Sequence, residues 1–268
     1  MKLLLARPAE GVTWVRRAFQ VFFRQPLGFT ALFAACALVL FVLIRVPLIG
    51  RPILLLIAPF GSLLFMIASR LSVAGERPVP GAFLALAAAD RPRIVRMLKL
   101  GLAYLVAAFV AIGLIAVVEG DALVSLLDTA ANPQATPEAI EAQLGDSRLQ
   151  AGFLLRVALG ALLSIPFWHA PGLVWWGEQG WAKALFFSSV AIWRNKGAFA
   201  VYGLVWIGLG LVFTLLLSLL VALAGPQQAT YIATPLVLFY TTVIYASLWF
   251  TFSGCFAEES ATPTPADA

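Results

Sequence analysis

The chain has 268 residues, of which 62% are hydrophobic and 12% charged, and its formal net charge is +5. Soluble domains carry about 25% charged residues, so this composition excludes an ordinary soluble domain and indicates a protein with several membrane spans. The positive charge does not indicate nucleic-acid binding, because it lies in short segments between apolar runs and forms no basic module. Cys36 and Cys255 have no Cys or His close to them in the sequence, so no metal, redox motif or cofactor is predicted.

Residues 11–26 form the most clearly amphipathic stretch of the chain. Its polar residues recur at helical spacing and include three arginines, Arg16, Arg17 and Arg24. The opposite side carries Val12, Val15, Phe19, Phe22 and Phe23. A basic face backed by bulky apolar residues is typical of a helix in the membrane interface, with its cations toward lipid phosphates. Pro26 and Gly28 are predicted to end this helix, and a membrane span follows at once.

Six apolar runs are long enough to cross a bilayer. They are Gly28–Ile44, Pro52–Ser69, Leu100–Val118, Val157–Trp176, Ala198–Ala224 and Thr230–Phe256. The predicted fold is therefore all-α, a polytopic membrane protein whose six transmembrane helices form three hairpins. We expect residues 1–256 to form a single membrane domain, and residues 257–268, with their Thr-Pro-Thr-Pro run, to form a disordered cytoplasmic tail.

The distribution of Lys and Arg predicts the orientation of these spans. Four of the 18 cations lie in the segments that follow outgoing spans, namely Arg45, Arg51, Arg148 and Arg156. All the others lie in the segments on the side of the termini. Because cytoplasmic segments are enriched in Lys and Arg, we expect both termini to be cytoplasmic.

The sizeable outer segment, residues 119–150, is acidic. Its carboxylates lack the D-x-D-x-D-G spacing of a tight cation site, so a solvated acidic loop is the favoured interpretation. Thr136 and Pro137 are typical of a helix start, which predicts a short helix over Pro137–Leu144. Arg156, near the outer end of the fourth span, is expected to extend outward and to pair with this acidic segment.

A repeat is suggested by the way the spans alternate. Each outgoing span follows a cytoplasmic, interfacial segment that begins with Gly and ends with Arg, and each returning span contains proline. The three segments are Gly11–Arg24, Gly81–Arg93 and Gly180–Arg194. We therefore predict three related units over residues 11–70, 81–176 and 180–256.

Two groups of residues resemble the pattern of a known family. The first comprises Ala170, Pro171, Gly172, Leu173, Val174, Gly180, Ala184, Leu185, Ser188, Arg194 and Asn195. The second comprises Gly11, Trp14, Ala18, Phe19, Phe23, Arg24 and Pro26. Together they resemble a broad group of uncharacterised six-helix bacterial inner-membrane proteins, related to the membrane domain attached to some glycerophosphoryl diester phosphodiesterases. The resemblance implies a fold and an inner-membrane location. It does not imply phosphodiesterase activity, because no soluble segment could hold the catalytic barrel.

The fourth span contains a candidate cavity around Pro166, His169 and Pro171. Two prolines five residues apart remove backbone hydrogen bonds, so the helix is predicted to kink or break there. Backbone groups freed at membrane depth require protein or water as partners. Tyr240 and Thr241 of the sixth span supply further polar groups. His169 is either a general base or haem ligand, or a hydrogen-bonded structural residue, and a structural role is the favoured interpretation.

The sequence contains no catalytic constellation, so we expect no enzymatic activity. The first hypothesis is a non-catalytic inner-membrane protein that organises lipids or membrane partners, including copies of itself, through Arg16, Arg17, Arg24 and Arg194. The second is a permease or exporter of a small uncharged or amphipathic solute, which would use the kinked fourth helix and the polar sixth helix.

Overall fold

The computed structural model describes residues 1–132 and 134–257. In these ranges the chain is helical apart from two short strands, β1 (Lys2–Leu3) and β2 (Phe256–Ala257). The helices are α1 (Glu10–Arg24), α2 (Pro26–Ile44), α3 (Gly50–Val73), α4 (Pro78–Ala87), α5 (Arg91–Glu119), α6 (Ala122–Ala131), α7 (Pro137–Leu144), α8 (Ser147–Phe167), α9 (Ala170–Trp175), α10 (Trp181–Arg194), α11 (Lys196–Ala224) and α12 (Pro226–Cys255). The predicted disordered tail lies outside the described residues, except that Ala257 belongs to β2.

Six helical segments of the described chain are long and apolar enough to span a membrane: Pro26–Ile44, Gly50–Val73, Arg91–Glu119, Ser147–Trp175, Lys196–Leu223 and Tyr231–Cys255. They confirm the all-α, six-span architecture. The third and fourth spans begin earlier than predicted because Asp90 and Asp146 cap helices α5 and α8. Each carboxylate accepts a hydrogen bond from a backbone N–H of the first turn, at Arg93 and Arg148 respectively. The apolar runs therefore mark only the middle of these helices.

The two ends of the molecule carry different secondary-structure elements. At one end, which we call the strand end, β1 and β2 pair antiparallel, so the N-terminus lies beside the end of α12. Asn195 fixes this arrangement, because its amide accepts a hydrogen bond from Ala6 N–H and donates one to the Leu4 carbonyl. The other end, which we call the loop end, carries α6 and α7.

A short helix precedes each of the three outgoing spans. Helices α1 and α10 begin and end within one residue of the predicted first and third segments. The middle segment differs from the prediction, because α4 ends at Ala87 and α5 already begins at Arg91. The cap formed by Asp90 separates them, so Gly81–Arg93 is not one continuous helix. The relation of the three units to one another stays a prediction.

The core lies at the strand end, around α3 and α12. In each of these two spans 44% of the most apolar window is buried, whereas in the fourth and fifth spans the buried share is 6%. Ser69 of α3 donates a hydrogen bond to the Ala246 carbonyl of α12 across this core. Helices α3 and α12 are therefore the central pair, and the other spans surround them.

At the loop end, the predicted helix over Pro137–Leu144 is confirmed as α7. The hydroxyl of Thr136 accepts a hydrogen bond from Ala139 N–H, as expected of an N-cap residue. Helix α6 was not predicted, because an apolar ten-residue stretch within an acidic segment was interpreted as loop. The described part of residues 119–150 is thus largely helical.

Candidate functional site

Helix α1 places three cations on its exposed face. Arg16, Arg17 and Arg24 are all exposed, and none of them forms an ion pair with another described residue. The opposite face packs against α11 and α12. Gly11 is required there, because a Cβ atom at this position would lie 2.4 Å from the Ala198 carbonyl oxygen of α11. Part of the apolar face of α1 is therefore covered by protein, and its guanidinium groups remain available.

The buried face of α1 matches the predicted one only in part, since Val15 and Phe22 are buried as predicted. Trp14 and Ala18 are fully buried, with 1% and 0% exposure, whereas Val12 and Phe23 are 49% and 65% exposed. Two antiparallel helices, α11 and α12, form the groove that receives α1. The angle at which α1 crosses them decides which of its residues are buried, and the size of the side chains does not. The Trp14 ring packs against Phe199 of α11 at a centroid distance of 5.3 Å.

A second basic feature is a groove beside α10, of about 760 Å³. Lys183 and Arg194 flank it on one face of the helix, since eleven residues correspond to about three helical turns. Its other lining residues are Met1, Leu3, Leu173, Gln179, Ala182, Phe186, Phe187, Val190 and Phe256. Among the residues that the structure describes, no carboxylate pairs with Lys183 or Arg194. The α10 groove therefore combines apolar walls with two available cations.

The predicted break in the fourth span is present between α8 and α9. Pro166 lies in the last turn of α8, and Pro171 in the first turn of α9. The backbone groups freed there are satisfied by Ser188 of α10, which is fully buried. Its hydroxyl donates to the Ile165 carbonyl at 2.9 Å and accepts from His169 N–H at 3.1 Å. Ser188 therefore supplies the protein partners that these two backbone groups require at membrane depth.

His169 lies in the aromatic core at this break. It is 0% exposed and packs against the rings of Phe199 and Phe256. Backbone atoms of Thr251 lie close enough to interact with the ring, but neither ring nitrogen makes a hydrogen bond of normal geometry among the described residues. Among the described residues, no hydroxyl or thiol is hydrogen-bonded to either ring nitrogen, and no group of three metal-binding side chains occurs.

The remaining predicted cavity residues lie apart from the break. The Tyr240 hydroxyl donates a hydrogen bond to the Trp206 carbonyl at 2.7 Å, and its ring stacks on Phe213. It therefore joins α12 to α11. Thr241, the next residue, is half-buried. The structure does not bring Tyr240 or Thr241 together with Pro166, His169 and Pro171.

A different set of polar groups lines a central cavity of about 360 Å³ between α3, α5, α8 and α12. Its lining includes four residues with hydroxyl groups, Ser62, Tyr104, Ser164 and Tyr245, together with Trp168. The Ser62 and Ser164 hydroxyls donate to carbonyls of their own helices, and Tyr245 is 39% exposed, so the cavity is open at that side. The Trp168 ring nitrogen donates to the Thr251 hydroxyl at 3.0 Å. Phe167 and Trp168, which lie at the predicted break, line this cavity. The sequence did not indicate Ser62, Tyr104 or Ser164, because these hydroxyls lie singly on their helices and no local spacing relates them.

The fourth and third spans are joined near the loop end by Arg156 and Glu119. The guanidinium donates two hydrogen bonds to the carboxylate, one of them at 2.9 Å, as the sequence suggested for Arg156. Glu119 is 4% exposed. Gly152 leaves room for it, because a Cβ atom there would lie 2.1 Å from Glu119 Cγ.

Comparison with known proteins identifies one relative clearly. A probable inner membrane protein of Burkholderia thailandensis is 32% identical over 261 residues, which cover 97% of this chain and 95% of that protein. No known family profile matches the chain. No solved structure matches it either.

Proposed function

Since the chain belongs to the family of this probable inner membrane protein, we propose that it is a non-catalytic inner-membrane protein that binds anionic lipid at its strand end. The α10 groove carries this proposal, because it sets Lys183 and Arg194 beside apolar walls. Such a site suits a phosphate headgroup together with the start of its acyl chain. The exposed arginines of α1, Arg16, Arg17 and Arg24, extend the basic surface at this end.

We further propose that the strand end faces the cytoplasm, as the Lys and Arg distribution predicts. Single cysteines at Gly180 and Asp128, in a chain with Cys36 and Cys255 changed to alanine, mark the two ends. In intact cells, a membrane-impermeant maleimide should label the cysteine at position 128 and not the one at position 180. The opposite labelling would reject this orientation. The relation to the membrane domain of glycerophosphoryl diester phosphodiesterases stays part of the proposal.

Lipid retention in nanodiscs tests the binding function. The double variant Lys183→Gln/Arg194→Gln should reduce the phosphatidylglycerol retained by the protein about thirtyfold in native mass spectrometry, since each cation near an anionic surface contributes about 1 kcal/mol. The triple variant Arg16→Gln/Arg17→Gln/Arg24→Gln should reduce it further. Arg45→Gln/Arg51→Gln is the matched control, because it removes two exposed cations near the other end of the first hairpin. Equal loss in all variants would contradict a specific site at the strand end.

The central cavity favours a second candidate function, transport of a small uncharged or amphipathic solute. Hydroxyls from four helices around one space are typical of a solute pathway and are not needed for lipid anchoring. Ser164→Leu should fill the cavity and abolish solute flux into proteoliposomes, whereas Ser218→Leu on the exposed side of α11 should leave it unchanged. Absence of flux for the unaltered protein across a broad solute panel would remove this candidate.

A further inference from the structure

A groove on the outside of the bundle lies directly against the central cavity. It has a volume of about 740 Å³ and runs between α5, α8 and α10. The two spaces share two lining residues, Leu163 and Phe167. The groove and the cavity are therefore separated by the side chains of one helical turn of α8.

The groove has the chemistry of a lipid site. Its walls are almost entirely apolar, and they include Leu102, Ala103, Val106 and Ala107 of α5. Lys99 and Trp181 lie at the strand end of the groove, and both are exposed. A cation beside an indole at one end of an apolar channel matches an anionic headgroup above an acyl chain.

The partition between groove and cavity is built around Phe167. Its ring packs edge-on against Tyr104 of α5, with the ring centroids 5.0 Å apart. Phe167 is also the last residue of α8, immediately before the break. Helix α8 ends there, and Ser188 holds the Ile165 carbonyl and the His169 N–H on either side of Phe167. The partition at this point therefore consists of the Phe167 side chain, on a backbone that is held in place.

We propose that the central cavity is reached sideways from the bilayer, by an anionic phospholipid-like amphiphile whose phosphate lies at Lys99 and whose chain lies in the groove, with Phe167 as the gate. The proposal rests on the second candidate function for its biological purpose. It identifies the solute class of that function as membrane-dissolved, because the groove opens laterally and its walls are apolar.

Photo-crosslinking tests this route without requiring transport. The protein is placed in phosphatidylcholine nanodiscs that contain phosphatidylglycerol with a diazirine in the middle of its chain, and labelled residues are mapped by mass spectrometry. Label is expected on the groove residues of α5 and on Leu163. Ala103→Phe should reduce this label at least fivefold, whereas Val110→Phe, at a 59% exposed position of α5 outside the groove, should not. Equal labelling of these two variants would overturn the site.

Two further variants test the headgroup and the gate. Lys99→Gln should reduce labelling severalfold with the phosphatidylglycerol probe and leave labelling by a phosphatidylcholine probe unchanged. Phe167→Ala should add label to cavity residues of α3 and α12 that are not exposed on the surface, such as Ser62 and Leu248. Phe167→Leu serves the same purpose if the alanine variant does not fold. A gate variant that folds and shows no new label in α3 or α12 would overturn the lateral route.

The route and the transport function fail in different ways. Groove and cavity labelling without solute flux would reject transport and leave the lateral site in place. Flux that persists in Ala103→Phe, with no groove labelling in the unaltered protein, would keep transport and reject this path.

Discussion

The strand end and the loop end of this bundle are built from the same kinds of apolar helix, yet they pack differently. At the strand end, α1, α9 and α10 fill the spaces between spans, so side chains such as Trp14 and Leu63 are fully buried. Toward the loop end, α11 presents Leu211, Leu215 and Leu219 outward, each more than half exposed. Apolar sequence alone does not produce a core inside a membrane, because lipid solvates leucine as well as protein does. The short helices that fill the spaces between spans therefore account for the greater burial at the strand end.

The largest test of this contrast is truncation of an aromatic ring in each half. Trp14→Ala should lower the free energy of unfolding by about 3–5 kcal/mol, because it leaves a cavity between α1, α11 and α12. Phe153→Ala, at a 64% exposed position toward the loop end of α8, should change it by less than about 1 kcal/mol. Reversible unfolding in mixed micelles measures both. Similar losses would contradict a core confined to the strand end.

The next test replaces glycine by alanine at one closely packed position and at one open position. Gly11→Ala should destabilise the protein by about 3 kcal/mol, because the new Cβ meets the backbone of α11 and separates the helices. Gly208→Ala has nothing within 4 Å of the new atom, so better helix propensity should stabilise it by about 0.5–1 kcal/mol. Thermal unfolding of the two variants should shift in opposite directions, and shifts of the same sign would argue against close packing of α1.

A smaller effect is expected at the helix break. Ser188→Ala should destabilise the protein by about 2 kcal/mol, since it leaves the Ile165 carbonyl and His169 N–H buried without their partner. Ser189→Ala is the control, because that hydroxyl bonds only to the Leu185 carbonyl in its own helix. Hydrogen exchange at His169 should quicken in the first variant alone. Unchanged exchange there would show that water, and not Ser188, satisfies the break.

The smallest effect concerns the loop end, where one polar contact replaces a core. Gly152→Ala should expel Glu119 and separate it from Arg156, at a cost of about 1 kcal/mol because the guanidinium side chain is 45% exposed. Gly113→Ala in α5, where the added atom meets nothing within 4 Å, is the control. Unfolding midpoints compared at low and high salt measure the difference. A salt-independent loss would indicate steric displacement without an ionic contribution.

Much of the candidate lipid site was accessible to sequence reasoning. Arg16, Arg17, Arg24 and Arg194 were selected for their helical spacing, and all four are exposed. Their counterparts in the grooves, Lys183 and Lys99, were counted only as topology signals. Nothing local distinguishes a lysine beside an apolar groove from one beside water, because the groove walls come from other helices.

Most of the residues that carry the family resemblance are packing residues and lie outside the candidate lipid site. Ala170, Gly172, Ser188 and Asn195 are all buried, and they hold the strand end together. A Cβ atom at Gly172, for example, would lie 2.7 Å from the Phe252 ring. The recurring motif is therefore largely a packing motif, and of its polar members Arg194 lines the α10 groove.

The sequence by itself determined the six spans, helices α1, α7 and α10, and the break at Pro166, because length, hydropathy and backbone chemistry are local properties. Only the tertiary structure decided which faces are buried, how Ser188 satisfies the break, and where the central cavity and its lateral groove lie. In a bilayer every apolar face has an acceptable solvent, so hydrophobic periodicity does not select the inner face of a helix. Steric fit between distant segments, such as Gly11 against Ala198, selects it.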